Sequence, residues 1–586
     1  MTHQLSRRNF LKSAAAGTAV LVVGLNSNGL LASGKADRVF NPFVRIDDDG
    51  VVTVIAKHFE MGQGTTTGLA TLVAEELDAD WSRVKVDFAP ADREKYKNLF
   101  WGVQGTGGST AIANSFMQYR TAGAAARELL VRAAAQEWGV DASDITVSDG
   151  ILTSGSKQGS FGDFVIQAVE LTAVENPPMK SPDQFKLIGK QVLLRKDSVS
   201  KTDGTAVFAM DVKLPGMVYA AIQRSPRFGG VVKSFDMTAA KQVGGFIDAK
   251  ALPNKAGVVV FAKNTWAAFQ ARNAILSEWD FSNAESRSSK DMVTSQLESL
   301  NNPQYDATPV GRTEAQAAID TATQKIEAEF VFPFLSQAPM EPLNCIIEPT
   351  ENGVRFHDGC QATSGVQFVV SKVLGLQPEQ VEIKTVYAGG SFGRRATPTA
   401  DYQVEAALAF ALLGKTIPIK LVWDREDDIR GGYYRPLTVH KATIGLDGAG
   451  KVLGWDHRIA TQSIMKGTAY ESFKVHDGVD HTSIEGCADT LYQLPNMFVG
   501  LSDFESAIPV LWWRSVGHSH TAYAMESLLD MLAHKTQQDP IEMRLGLLDR
   551  DDDKQRRMAG VIEAARDMSG WKKGNKRGFA AHFSFN

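Results

Sequence analysis

The spacing of apolar and polar positions changes character several times along the chain, and glycine turns mark most of the changes. VRIDDDGVVTVIA, residues 44–56, alternates apolar and polar positions around a run of aspartates and predicts two strands joined by an Asp-Gly turn. After MGQGTTTG the period lengthens: Leu69, Leu72, Val73 and Leu77 fall near one helical face, with Gly62, Gln63 and Gly64 just before it. A second helix is predicted after GVQGTGGS, its stripe marked by Ile112, Phe116, Tyr119, Ala126 and Leu130. Gly107 and Gly108 precede it, Ser109 or Thr110 is the expected N-cap, and Gly139 the C-cap. Further on, VEIKTVYAGG reads as a strand that runs through SFGRR into a helix. There Thr397 is the expected N-cap, Pro398 the first helical residue and Gly414 the stop, before IPIKLVWD resumes the sheet.

These elements fall into units. VENPPMKSPDQ reads as a linker, GTAVFAMDVKLPGMVYAAIQRSP opens a strand-rich stretch, and the polar runs SNAESRSSKD and NNPQYDATP lead into a third part. A length of 586 residues, 44% hydrophobic and 22% charged, is globular material for about three or four domains. A net charge of -5 gives no global basic field, so a nucleic acid held mainly through its phosphates is not expected.

Residues 1–36 read as an export leader. Arg7 and Arg8 precede Phe10, Leu11 and an alanine-rich apolar run too short and weak for a permanent anchor, and LASGKA supplies a small-residue exit. This is the pattern of a twin-arginine signal, a route that carries folded proteins to the periplasm and so suits a cofactor inserted before export. Cys345, Cys360 and Cys487 stand alone, without CxxC spacing or partner histidines, so neither a zinc site nor an iron–sulfur cluster is expected. An oxidising compartment leaves room for a disulfide between two of them.

Three glycine turns, each before a predicted helix, point to an anion or a ligand with many hydrogen-bonding edges, because free amides and the helix dipole converge there. Gln63, Gln104, Arg394 and Arg395 beside the turns strengthen that reading. No Gly-Lys-Ser/Thr follows any of them, which excludes the nucleoside triphosphate loop. VVTVIA, GQGTTTG, a helix and Asp87 in RVKVDF imitate a nicotinamide-binding Rossmann fingerprint, although five residues separate Ala56 from Gly62 where that turn needs its first glycine at the strand end.

GGSFGRR, MGQGTTTGLATLVAEEL, GTGGSTAIANSF, DGCQATSGVQFVVSKVLGLQPEQVEI and WWRSVGHSHTAYAMESLLDMLA together resemble the molybdenum hydroxylases of the xanthine dehydrogenase and aldehyde oxidase superfamily. The early position of MGQG is similar to the isoquinoline 1-oxidoreductase type and its exported aldehyde dehydrogenase relatives. The resemblance implies a mixed α+β, multidomain large-subunit fold with permuted motif order. Residues 37–172 and 310–586 would bind molybdopterin, and 186–290 would form a smaller, strand-rich, hammerhead-like domain. It further implies molybdenum held by the dithiolene of a molybdopterin, of the cytosine dinucleotide form, and not by side chains. Gln361 matches the glutamine beside the metal's apical oxygen. Gly390, Phe392, Gly393 and Arg394 match the turn that approaches the metal centre. Gly62, Gln63, Gly64, Gly107, Gly108 and Ser109 match pterin- and dinucleotide-binding turns, and Arg514 an arginine near the substrate pocket, which Trp512 and Trp513 either shape or merely support.

Implied function is hydroxylation of an electron-poor carbon, in an N-heterocycle or an aldehyde, with oxygen from water. Electrons would pass to a small subunit carrying [2Fe-2S] clusters and onward to a cytochrome c subunit, and membrane association would come only through such partners. The family's base is a glutamate in a glycine-flanked segment, and none is found before the chain stops at GFAAHFSFN. Glu341 and Glu526 are carboxylates in family segments but lie outside that motif. A nicotinamide-dependent oxidoreductase and a non-catalytic periplasmic binding or scaffold subunit stay open as alternatives. Exchanging Arg7 and Arg8 for lysines is expected to leave folded, cofactor-loaded protein in the cytoplasm; cell fractionation that finds the variant exported, or unfolded, contradicts the leader reading.

Overall fold

In the computed structural model the described residues are 43–190 and 193–585, preceded by the strands Val20–Leu25 and Leu31–Ser33. Arg7 and Arg8 lie outside them. The Asp-Gly turn forms as read: the Asp47 amide donates to the Val51 carbonyl at 3.0 Å, and Gly50 takes φ +80. It joins Val44–Asp47 to Val52–Ala56, from which the helix Thr65–Leu77 crosses to Val84–Phe88, parallel to Val52–Ala56. Leu69, Leu72, Val73 and Leu77 are all buried, as their period predicts, facing the helix Phe116–Trp138. At Gly123 of that helix a Cβ would sit 2.7 Å from the Val73 carbonyl, so only glycine permits this approach. Within this sheet the crossover unit occurs once and its neighbour Val44–Asp47 is antiparallel, which is not the repeated parallel sheet of a Rossmann domain.

Two predicted helix starts move. Phe116–Trp138 is preceded by Ser115, not Ser109 or Thr110, because Ser109 is left-handed at φ +55 and the chain continues through turns. Asp401–Leu412 starts beyond Pro398, behind a left-handed Ala400, while the Thr397 hydroxyl donates to Asp401 at 2.8 Å. Gly139 ends its helix as expected, at φ 64.

A seven-stranded sheet runs in the order Phe246–Ala251, Gly257–Ala262, Val218–Arg224, Ile419–Val422, Asn344–Pro349, Val354–Asp358, Val381–Thr385. Val218–Arg224 lies parallel to Ile419–Val422, so the strand-rich middle stretch and the third part share one sheet. The helices Thr363–Leu374 and Asp401–Leu412 pack on it around Phe356, Val370 and Phe410. A further sheet, including Gln324–Phe332, Thr438–Leu446, Val452–Thr461 and Met497–Asp503, carries the helix His518–Lys535. The fold is mixed α+β, as expected. Cys345, Cys360 and Cys487 are buried free thiols, so no disulfide joins them.

Beneath the helix His518–Lys535 a file of imidazoles threads the core. His457 Nε2 lies 2.8 Å from His440 Nδ1, and His440 Nε2 lies 2.9 Å from His520 Nδ1. Cys487 Sγ sits 3.4 Å from His457 Nδ1. Two uniform tautomer sets, with every proton on Nε2 or every proton on Nδ1, satisfy all three links. Burial pushes His457 down to about 4 and His520 to about 3, and holds His440 well below the usual imidazole range. The unfolded chain therefore binds protons near pH 6.5 that the folded chain refuses, and each imidazole removes up to about 1.4 kcal/mol of stability per pH unit below that value. Unfolding midpoints in denaturant are expected to fall between pH 7 and pH 5, less steeply in His440→Asn; a midpoint unchanged over that range contradicts the assignment.

Candidate cofactor site

The first glycine turn is already satisfied from within. Glu60, fully buried, accepts from the amides of Gly62 at 2.8 Å, Gly64 at 3.0 Å and Thr66 at 3.1 Å, and pairs with Arg195 at 3.2 Å. The anion at the start of the helix Thr65–Leu77 is thus the chain's own carboxylate. Gln63 folds back on the same turn, its Nε2 donating to the Phe59 carbonyl at 2.7 Å and its Oε1 accepting from the Met61 amide at 2.8 Å. Sequence reasoning passed over Glu60, although an acid just ahead of a helix start was a visible signal.

The second and third turns meet, and Gln361 joins them. Its carbonyl accepts from the Thr106 amide and its Nε2 donates to the Thr106 carbonyl, both at 2.8 Å. On the other side the Ser391 hydroxyl donates to Gln361 Oε1, while the Gln361 amide donates to the Arg395 carbonyl at 2.9 Å. Behind the second turn, the Thr106 hydroxyl accepts from the Phe59 amide at 2.9 Å and lies 3.2 Å from His58 Nδ1. Burial and the neighbouring Lys57 hold His58 down to about 3, and burial brings Lys57 to about 7. The Trp101 indole lies across the second turn: a Cβ at Gly107 or Gly108 would come within 3.2 Å or 3.1 Å of it.

The third turn is clamped by Arg395 and Glu341. Arg395 is buried; it donates to the Gly390 carbonyl at 3.1 Å and pairs with Glu341 at 3.0 Å, and Glu341 also accepts from the Gly389 amide at 2.8 Å. Arg394 points inward to Asp401 at 2.6 Å, with its guanidinium 4.9 Å from the Tyr433 ring. Phe392 is left-handed at φ 58, and so are Ser515 and the β-branched Val516, at φ 76 and 52. Three such residues at one place mark stored backbone strain of the kind that collects at functional sites. The exposed Arg514 ties them together, its amide donating to the Phe392 carbonyl at 2.9 Å and its guanidinium 5.2 Å from the Phe392 ring centre. Glu526, in contrast, is buried against Arg544 at 2.9 Å, far along the helix His518–Lys535, and is structural. A cleft of about 1860 Å³ is lined by Trp101, Gln104, Ser364, Ala396 and Tyr470 among others, and none of residues 107–109 or 390–393 lines it.

The residues fit a ligand rich in oxygen. Among the described residues, the amides of Gly107, Gly108, Ser109, Gly390, Phe392 and Gly393 donate to no protein acceptor. Free amides gathered in two adjoining turns suit phosphate and pterin edges. No group of three or more histidine, cysteine or acidic side chains among the described residues is arranged to hold a metal.

Sequence comparisons identify the domains that carry these turns. Models of the molybdopterin cofactor-binding domain match residues 6–215 and 299–546, together well over half of the chain. The chain belongs to the molybdenum hydroxylase superfamily, a class of oxidoreductases, as a molybdopterin-binding large subunit. It is 29% identical to the isoquinoline 1-oxidoreductase subunit beta of Brevundimonas diminuta, over 98% of this chain and 78% of that one. It is also 29% identical to the membrane-bound aldehyde dehydrogenase (pyrroloquinoline-quinone) of Gluconacetobacter polyoxogenes, over 93% of this chain and 72% of that one. Among solved structures, quinoline 2-oxidoreductase from Pseudomonas putida 86 superposes with a TM-score of 0.52 at 16% identity, covering 64% of this chain and 54% of that one, which shows the fold. The chain thus spans about half the length of that solved relative.

Two glycines with the same backbone need separate the cradle from a simple turn. Gly393, at φ +107, would place a Cβ 2.6 Å from the Trp512 carbonyl, whereas Gly62, at φ +112, has nothing within 4 Å. Gly62→Ala is expected to cost about 1–2 kcal/mol from backbone strain alone. Gly393→Ala should cost at least about twice that, because strain and overpacking add. Equal losses in denaturant unfolding contradict the close packing of the Trp512 segment on the third turn.

Proposed function

We propose that this chain is the molybdopterin-binding catalytic subunit of an exported oxidoreductase that hydroxylates an electron-poor carbon, in an N-heterocycle of the isoquinoline kind or an aldehyde. The observation that carries the reading is the pair of amide-rich turns at 107–109 and 390–393 held together by Gln361. When bound, the cofactor, in the cytosine dinucleotide form, supplies the two-electron oxidation that adds oxygen derived from water. The chain's own part is to hold and orient. The free amides bind the cofactor's oxygens, and Gln361 presents its amide between the turns. Phe392 and Arg514 form the exposed rim on the substrate side.

Neither family-segment carboxylate serves as the base. Glu341 is engaged by Arg395 and the Gly389 amide, and Glu526 by Arg544 and the Ala581 amide. Electrons leave through another subunit on this reading, because two [2Fe-2S] clusters need about eight cysteine ligands and the chain has 3 cysteines in all. A cytochrome c subunit is the onward acceptor. The Arg7–Arg8 pair and the apolar run after it support export to the periplasm by the twin-arginine route.

Protein purified after expression with its cofactor-assembly machinery is expected to carry about one molybdenum and one pterin per chain. With a partner iron–sulfur subunit and a polypeptide that supplies the glutamate base, it should place heavy oxygen from labelled water into a hydroxylated heterocycle or a carboxylic acid. Folded protein without molybdenum or pterin, or with bound nicotinamide instead, contradicts the proposal.

A further inference from the structure

The turn that backs the 390–393 glycine turn is held by a group outside the glycine motifs. Glu485 lies in the turn after the short helix His481–Ser483, and its Oε1 accepts from the Gly517 amide at 2.9 Å. Its own carbonyl accepts from the Thr521 hydroxyl at 2.6 Å, in the first turn of the helix His518–Lys535. The two segments interlock without slack: a Cβ at Gly517 would sit 1.9 Å from the Thr482 carbonyl and 3.0 Å from the Glu485 side chain. From Gly517 the chain runs back through left-handed Val516 and Ser515 to Arg514, whose amide holds the Phe392 carbonyl. Two consecutive strained, non-glycine residues persist only where their neighbours fix both ends. Phe392 fixes one end and Glu485 the other.

We propose that Glu485 is a positioning residue for the cofactor site, its half-buried carboxyl keeping the 514–517 turn closed against the third glycine turn while neutral and releasing it on ionisation. The proposal rests on the function proposed above, since it assigns a control to the same site. Groups facing Glu485 come from every neighbouring element: Lys474 from the short helix Glu471–Lys474, Asp480, Asp489, and His518 at 3.9 Å. His582, from the C-terminal stretch, reaches it only through His518, at 2.8 Å. Lys474 favours the ionised form, while Asp480 and Asp489 oppose it. Asp480 is occupied by the Thr482 and Ser463 hydroxyls.

The direction follows from linkage. Burial, the largest influence, lifts the Glu485 carboxyl to about 7, and the Gly517 hydrogen bond offsets only part of this. A carboxyl raised by burial stabilises the closed turn below its solvated value, and that stabilisation is lost as pH rises through the buried one. Opening the turn gives the carboxyl water and returns it to the usual carboxylate range. The opening equilibrium therefore grows by up to about tenfold per pH unit between about pH 5 and pH 7, and levels off above.

Hydrogen exchange of the 512–518 segment, corrected for intrinsic rates and read on the full chain from pH 5 to pH 8, tests this. Wild type is expected to lose about a hundredfold protection across the window, and Glu485→Gln to stay protected and flat, because its amide oxygen still accepts from Gly517 without ionising. Glu485→Asp should keep a pH-dependent profile with a moved midpoint. His518→Asn, which removes the nearest imidazole, should keep it too. A wild-type profile that is flat or rises with pH overturns the proposal, and so does a wild-type profile surviving in Glu485→Gln. The wild-type profile alone decides if that variant does not fold. Molybdenum and pterin content in the same samples reports separately on the function, so failure of one reading is distinguishable from failure of the other.

Discussion

Everything at the candidate site depends on how one buried glutamine is used. Gln361 follows the strand Val354–Asp358 and spends both ends of its side-chain amide, and both of its backbone polar groups, on two other loops. On one side it pairs with Thr106, some 250 residues earlier in the chain, at two hydrogen bonds. On the other it holds Ser391 and Arg395. A buried amide left half-satisfied costs about 1–3 kcal/mol per missing partner. The arrangement therefore fixes the relative position of two glycine turns that belong to different sheets. Neither turn could be placed by its own sequence.

With that constraint in place, the three turns divide their work. The first is closed by Glu60 and shapes the start of a helix. In the other two, Gln361 holds Thr106 and Ser391 while Arg395 and Glu341 hold Gly390 and Gly389, and the amides of Gly107, Gly108, Ser109, Gly390, Phe392 and Gly393 are left without a protein acceptor. Strain at Phe392, Ser515 and Val516 is the local cost, and it is tolerated because the Trp512 segment and Gly517 are packed with no room for a side chain. A molybdopterin-binding subunit needs this kind of surface, since the metal's ligands come from the cofactor and the protein supplies hydrogen-bond donors.

Much of the architecture was legible in the chain itself, for physical reasons. The stripe Leu69, Leu72, Val73 and Leu77 sits on a real buried helical face, and Gly139 is a real left-handed cap, because both signals are local. The helix starts after Ser109 and Thr397 were displaced because each residue sits in a loop whose backbone is dictated by tertiary contacts: Ser109 is left-handed, and Thr397 serves the Arg394–Asp401 pair. The family motifs located the glycine turns, but which turn keeps free amides was hidden, since it hinges on Glu60 in one case and Gln361 in the other. The imidazole file was invisible for a simpler reason: His440, His457 and His520 come from two strands and a helix, and no sequence spacing relates them. Glu485 was hidden likewise, its partner Gly517 lying 32 residues away.

The central claim is that the 107–109 and 390–393 turns form one cradle around the cofactor, with Gln361 at its centre. Anomalous diffraction at the molybdenum absorption edge, from crystals of the cofactor-loaded chain, tests it most directly. The account predicts a single strong peak between the Gln361 side chain and the backbone of Phe392 and Gly393, with pterin density running along the free amides of both turns. A peak elsewhere, or cofactor density that leaves those amides to water, would contradict it.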